Sequence, residues 1–274
     1  MSGRGPAADV SIIIVSFNAR ADLERCLASL HAPPPALSHE ILVVDNASSD
    51  GSAEAARAWP DVRVVESKAN RGFAAANNIG IRASTGEHLL LLNSDTVVQG
   101  GAIDALHKEL RQHPDAAVAG PRLVDGDGRA ELSFGRMISP LNELRQKRLQ
   151  KGHEQRHSAL SARVDEMTRR QQWPDWVSGA CLLVRRADAE AVGLLDERFF
   201  VYTEDVDFCA AIRARGRRIL FTPAVEVVHL RGRSVAAASA ETAAAYRQSR
   251  LAFYGKHHPA WVPVLRWYLW LFGR

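Results

Sequence analysis

The sequence predicts an α/β fold, a mostly parallel central sheet flanked by helices, and three observations carry that prediction. Over the first 120 residues, short apolar runs of strand length alternate with segments whose apolar residues recur every three to four positions. The strand runs are short and mostly apolar, as strands covered on both faces are. Four of them end in a burst of polar residues, the pattern of an open sheet whose ligand lies beyond the carboxyl ends of its strands.

The expected strands cover residues 10–15, 40–44, 62–66, 87–92 and 116–119. Between them, Leu23, Cys26, Leu27 and Leu30 share one helical face, as do Ile103, Leu106 and Leu110, so both segments read as crossover helices. Residues 128–172 are rich in Arg, Gln, Glu and His and poor in large apolar side chains, which predicts a polar helical excursion from the core. Strand signals return at 176–184, followed by a loop at 199–203, a helix at 206–215 and strands at 218–222 and 225–229. From 236 onward the chain is Ala-rich, then aromatic and basic, and reads as one or two peripheral helices.

Composition bounds the function. A chain of 274 residues with 46% hydrophobic and 24% charged residues buries a sizeable core, which excludes disordered, collagen-like and disulfide-scaffold classes. The 35 basic residues are nearly balanced by 31 acidic ones, so the net charge of +4 gives no ground for a nucleic-acid partner. Cys26, Cys181 and Cys209 are odd in number and far apart, which predicts buried reduced thiols and a cytoplasmic setting. No apolar run of signal-peptide length stands in the first nine residues. Residues 261–272 are aromatic and apolar but short for a bilayer span and broken by Pro263 and Arg266. Two readings of that tail compete: an interfacial anchor on the inner membrane face built on Trp261, Trp267, Tyr268 and Trp270, or a packed helix pair or homodimer contact.

The strand ends hold the candidate chemistry. Ser16-Phe17-Asn18 follows the first strand, Asp45 to Gly51 the second, Asn70-Arg71-Gly72 the third and Asn93-Ser94-Asp95 the fourth. Asp45 alone reads as a turn or cap residue, but Asp50-Gly51-Ser52 fills that role better, leaving Asp45 for a ligand. Asp95 leaves a buried strand with no Lys or Arg nearby in sequence, so it calls for a cation, either a divalent metal or an Arg from elsewhere. Oxygen ligands favour Mg²⁺ or Mn²⁺ over zinc. Between Asn70 and Gly80 the small residues also suit helix-to-sheet packing, which leaves Asn70, Arg71 and Asn78 unexplained. Glu204, Asp205 and Asp207 open a helix, where one carboxylate suffices as a cap; beside an apolar wall of Phe199 and Phe200 another can serve as a general base. His229 ends a strand just before Arg231 and Arg233, a basic turn suited to phosphate.

Taken together, these segments resemble the family 2 glycosyltransferases of the GT-A fold, and among them the bacterial rhamnosyltransferase-like members of cell-envelope polysaccharide synthesis. The resemblance rests on VSIIIVSFN at 10–18, ILVVDNASSDGS at 41–52, NRGFAAANNIG at 70–80, LLLLNSD at 89–95, SGACLLVR at 178–185, FFVYTEDVDFC at 199–209 and HLRGRS at 229–234. It implies a catalytic domain over 1–235, with 128–172 as an insertion on the acceptor side, and a helical tail over 236–274. It further implies that Asp45 recognises the nucleoside, with Ser16, Asn18, Asn70 and Arg71 near base and ribose. Asn93-Ser94-Asp95 is similar to the family's metal motif, with Asn93 in place of its first Asp, and Asp95 and His229 would hold Mg²⁺ or Mn²⁺. Gly179 would lie between donor and acceptor, Arg231 and Arg233 would contact phosphate, and Asp205 would be the catalytic base, ionised at neutral pH without activation, with Glu204 beside it. The implied reaction is inverting transfer of a sugar, rhamnose from dTDP-rhamnose ahead of a UDP-hexose, to a saccharide or lipid-linked saccharide.

Two other classes compete. A sugar-nucleotidyltransferase normally carries a Gly-rich basic loop after its first strand, where this chain has Ser16-Phe17-Asn18-Ala19-Arg20. A non-catalytic nucleotide-binding module fits poorly with a cleft so rich in carboxylates.

Overall fold

The computed structural model describes residues 8–230 and 240–272. Elements follow in the order β1 (Val10–Ser16), α1 (Arg20–Leu30), β2 (His39–Asp45), α2 (Ser52–Arg57), β3 (Val62–Glu66), α3 (Phe73–Ala83), β4 (His88–Asn93), β5 (Thr96–Val98), α4 (Ala102–Gln112) and β6 (Ala116–Val124). A short β7 (Phe134–Gly135), α5 (Pro140–Glu154) and α6 (Ser158–Thr168) come next, then β8 (Trp176–Val177), β9 (Cys181–Arg185) and α7 (Arg186–Ala191). The chain continues through α8 (Glu204–Ala214) and β10 (Arg218–His229), then α9 (Ala240–His257) and α10 (Val262–Phe272). The boundary expected at 235 lies outside the described residues, as do Arg231 and Arg233.

Eight strands form one sheet in the order β3-β2-β1-β4-β9-β6-β10-β5. β1, β2, β3 and β4 pair in parallel, and so do β6 and β10. The predicted parallel alternation is thus present, with two departures. The signal at 176–184 is split: β8 pairs with β7 in a small second sheet, and β9 enters the main sheet antiparallel between β4 and β6. An antiparallel strand starts at the edge where its parallel neighbours end. Residues 178–180 are therefore delivered to the carboxyl rim, with Leu92 opposite Cys181. The two strands expected near the end are one, β10, with an irregularity between Thr222 and Glu226.

Side-chain alternation on β1 divides the core. Ile12 and Ile14 pack with Leu23, Leu27, Ile103 and Leu106 of α1 and α4, whereas Ile13 packs with Ala74, Ala76, Phe208 and Ile212 of α3 and α8. Gly80 has a packing role here, since a Cβ on it would lie 2.5 Å from Ile13 Cγ2. The small residues of α3 therefore bring that helix directly onto the sheet.

The polar segment at 128–172 is less of an excursion than its composition suggests. Val164 is fully buried, and Leu149 and Met167 pack against the α3/α8 side of the core. The tail is likewise joined to the body: Phe253, Tyr254 and Leu265 form a third cluster with Phe199 and Val206. Asp207 accepts from Lys256 Nζ at 2.8 Å and lies 2.6 Å from His257 Nε2, which ties α8 to α9. The three cysteines are buried free thiols, and burial pushes each up to about 12.

Candidate active site

Parallel register decides which polar residues become neighbours. Ser16 pairs with Asp45, and Val15 with Asn93, so the ends of β1, β2 and β4 place Ser16, Asp45 and Asn93 side by side at one edge. Asp45 is buried; its Oδ2 accepts from the Ser48 N–H at 3.0 Å. It therefore does serve the turn, contrary to the expectation that Asp50 would relieve it, although Asp50 Oδ1 does accept from the Ser52 N–H at 3.0 Å. Asp45 Oδ1, Ser16 Oγ and Asn93 Oδ1 are buried and, among the described residues, have no hydrogen-bond partner. Three orphaned acceptors on adjacent strand ends are costly unless a polar ligand completes them.

The loops around this edge are held by residues that the sequence suggested for ligand contact. Asn18 Oδ1 accepts from the Ser49 N–H at 2.8 Å. Asn70 Oδ1 accepts from Asn46 Nδ2 and the Gly72 N–H, and the Arg71 N–H donates to Asn46 Oδ1. The Arg71 guanidinium lies 3.6 Å from Glu197. Asn46, which sequence reasoning passed over, is the buried hub of this loop. Gly72 has φ of +82°, and a Cβ there would meet Phe200 O at 2.3 Å, so only glycine lets this loop close on Phe200. Asn78 donates to Leu195 O and accepts from the Leu195 N–H, anchoring the segment that leads to α8.

A second group gathers at the ends of β4 and β10. His229 Nε2 lies 3.3 Å from Asp95 Oδ1 and 3.5 Å from Asn93 Nδ2, while His229 Nδ1 lies 3.2 Å from Glu131. The cation that Asp95 called for is therefore an imidazole brought from 134 positions away in the chain. Burial opposes its charge, but the hydrogen bonds to Asp95 and Glu131 outweigh this and raise His229 to about 9. Glu131 was not foreseen. It lies at the start of the polar segment, with nothing in the local sequence to mark it. Ser94 is also buried in this group.

The third group meets the other two through residues 179 and 180. Asn93 N–H donates to Ala180 O at 2.9 Å, and Gly179 N–H donates to Asp205 Oδ2 at 2.9 Å. A Cβ on Gly179 would lie 3.4 Å from Asp205 Cβ and 3.5 Å from Phe73, so three elements converge there. Asp205 Oδ1 accepts from the Val206 N–H. Burial raises the Asp205 carboxyl above its ordinary value, and the N–H groups of Gly179 and Val206 only partly offset this. This corrects the expectation of an Asp that needs no tuning. Glu204 is more deeply buried, its Oε2 has no partner, and burial next to Asp205 lifts it well above the usual carboxylate range. Phe199 is buried as expected, but Phe200 is exposed and supplies its carbonyl to the Phe73 N–H. Tyr202 and Thr203, just before α8, both have positive φ, and such strain of about 1–3 kcal/mol per residue concentrates at functional sites.

Residues 11–172 match the family model described as glycosyl transferase family 2. The chain belongs to that family. This glycosyltransferase is 32% identical over 273 residues to an N-acetylglucosaminyl-diphospho-decaprenol L-rhamnosyltransferase of Mycobacterium tuberculosis, covering 94% of this chain and 88% of that protein. It is also 26% identical over 228 residues to the low-salt glycan biosynthesis hexosyltransferase Agl10 of Haloferax volcanii, covering 81% of this chain and 67% of that protein. In fold it is similar to a mannosyltransferase from Pyrobaculum calidifontis in complex with GDP-Man and Mn²⁺, with a TM-score of 0.62 and 20% identity over 95% of this chain and 69% of that one. The glycosyltransferase thus has the GT-A-like architecture that the resemblance implied, and it is an inverting enzyme that moves a sugar from a nucleotide-diphosphate donor.

Among the described residues no three His, Cys, Asp or Glu side chains form a self-sufficient metal cage. The Asp95 carboxylate, the partnerless Asn93 Oδ1 and the His229 imidazole fit an ion shared with substrate phosphates once His229 gives up the proton it holds against Asp95, and a nitrogen ligand favours Mn²⁺ over Mg²⁺.

Proposed function

We propose that this enzyme transfers rhamnose from dTDP-rhamnose to a hydroxyl of a lipid-linked saccharide in cell-envelope polysaccharide synthesis. The buried, partnerless acceptors at Ser16 and Asp45 carry the reading, because a nucleoside donates the N–H and O–H groups they lack. The similarity to the mycobacterial rhamnosyltransferase supports the choice of sugar and acceptor.

In this reading Asp45 and Ser16 orient the nucleoside, with Asn18, Asn70 and Arg71 shaping the loops around it. Asp95 and His229 would hold Mn²⁺ or Mg²⁺, which when bound supplies positive charge to the leaving diphosphate. Gly179 fixes the Asp205 carboxylate, and Asp205 takes the proton from the acceptor hydroxyl as that oxygen attacks the anomeric carbon opposite the diphosphate. Attack from the opposite face inverts the configuration. Glu204, its carboxyl raised by burial beside Asp205, favours its neutral form and so resists placing a second negative charge next to the base. The raised Asp205 carboxyl makes it a better proton acceptor than an exposed Asp. Arg231 and Arg233, outside the described residues, keep the phosphate role that the resemblance gives them.

The lipid acceptor would be reached at a membrane surface. No described helix is long and apolar enough to cross a bilayer. α10 buries Leu265 yet leaves Trp267 and Trp270 at 63% and 79% exposure, which suits a helix lying in the interface.

Thermal shift with dTDP-rhamnose, UDP-glucose and GDP-mannose, each with and without Mn²⁺, tests the donor. The expected result is the largest rise in Tm with dTDP-rhamnose, since ligand bound to the native state stabilises it by mass action. No shift with any of the three would overturn the reading.

A further inference from the structure

A cavity of about 560 Å³ lies between α5 and α6, outside the strand-end rim. Arg136, Arg145, Arg148 and Arg163 line it, with Leu149 and Leu160 among its apolar lining residues, and no carboxylate takes part. Among the described residues none of these four guanidinium groups makes an ion pair or side-chain hydrogen bond, whereas Arg170 on the same segment pairs with Glu166. All four guanidinium groups are exposed, so water screens their mutual repulsion, but they face one opening with no carboxylate among them, and their forked donors match phosphate oxygens.

The cavity is joined to the reaction centre by the backbone. Arg136 O accepts from Trp176 Nε1 at 2.9 Å, and three residues beyond Trp176 the Gly179 N–H holds Asp205. On its other side α5 is fastened to α9: Glu143 accepts from Tyr254 and Arg250. Leu141 and Leu144 stand exposed on α5, at 69% and 68%. A ligand with two negative charges and an apolar chain therefore meets cations in the cavity and exposed apolar side chains beside it.

We propose that this arginine-lined cavity binds the diphosphate of a lipid diphosphate acceptor and so presents the acceptor's sugar to Asp205. This rests on the lipid-linked acceptor proposed above. It adds the place where that acceptor is gripped. It also accounts for the arginines of a segment from which Glu131 reaches the donor side.

Calorimetric titration of the full chain with farnesyl diphosphate, farnesol and inorganic diphosphate tests it. Farnesyl diphosphate is expected to bind at least ten-fold more tightly than either of the others. The single variants Arg145→Glu and Arg148→Glu should each lose at least three-fold in that affinity and the double variant at least ten-fold, while Lys151→Glu, a single charge reversal on the same helix outside the cavity, should lose less than two-fold. Equal affinity in wild type and the double variant would overturn the proposal, as would a loss in Lys151→Glu equal to that in either single variant. Inorganic diphosphate binding as tightly as the farnesyl ester would overturn the lipid assignment. Thermal shift of the double variant with dTDP-rhamnose runs in parallel: a retained shift shows a folded protein with its donor site intact. Failure of the cavity is thereby distinguished from failure of the glycosyl-donor reading, which would remove that shift from the wild type as well.

Discussion

The Gly179 N–H points at Asp205 Oδ2 from 2.9 Å, and the same short segment carries Ala180, whose carbonyl accepts from the Asn93 N–H. Asn93 and Asp205 are thereby fixed relative to each other by the turn that leads into one antiparallel strand. A backbone donor costs no side-chain entropy to hold in place, so the carboxylate is oriented before substrate arrives.

Asp205→Asn is expected to lower transfer on the order of 10²- to 10⁴-fold while donor affinity is retained. Only the ionised form accepts a proton. Because burial raises this carboxyl, wild-type activity should climb as pH rises through the raised value and then level off. Product formation against pH, with donor titration of both proteins, checks this. A variant at full activity would move the base elsewhere.

Glu204→Gln is expected to stabilise the protein at neutral and alkaline pH. A carboxyl whose folded value lies above its unfolded value stabilises the fold below the unfolded value and loses that contribution as pH rises through the folded one. Gln does not titrate and escapes that loss. Urea unfolding at pH 8 and at pH 4 should show the variant's advantage at the first and little at the second.

Asp207→Asn should cost about 1–3 kcal/mol, since it leaves Lys256 and His257 without their shared carboxylate, although both are exposed enough to rehydrate. The loss is expected in stability with donor binding intact, because this carboxylate serves the α8–α9 contact. A urea midpoint equal to wild type would remove that role.

His229→Ala is expected to weaken Mn²⁺ dependence of donor binding on the order of 10- to 100-fold. Titration of Mn²⁺ at fixed dTDP-rhamnose measures it. An unchanged Mn²⁺ curve would place the ion away from Asp95 and His229.

Trp267→Ser/Trp270→Ser changes two exposed side chains and leaves the buried Leu265 in place. Sedimentation with anionic liposomes should pellet the wild type and leave most of the variant in solution. Equal pelleting would discard the interfacial role of α10.

Much of the fold is legible in local sequence. Ile12 to Val15, Ile41 to Val44 and Leu89 to Leu92 are apolar throughout because both faces of their strands are covered, and a residue's burial is written into its chemistry. The same reasoning marks the residues after those strands as a rim. It fails where a side chain's partner is remote. Asn18, Asn70 and Asn78 look like ligand groups by type but close loops, and only their hydrogen-bond partners reveal it. Asn46 lay in the polar run after the second strand without being singled out, and Glu131 had no local signal at all.

By itself the sequence determined that short buried strands alternate with helices, that polar groups crowd the strand ends, and that the family's ordered motifs are present. Tertiary structure decided that β9 runs backward between β4 and β6 and that His229 reaches Asp95 and Asn93. Periodicity along a chain records which side of an element is buried. It holds no record of which strand lies alongside, because that choice is made by packing between residues far apart in the chain.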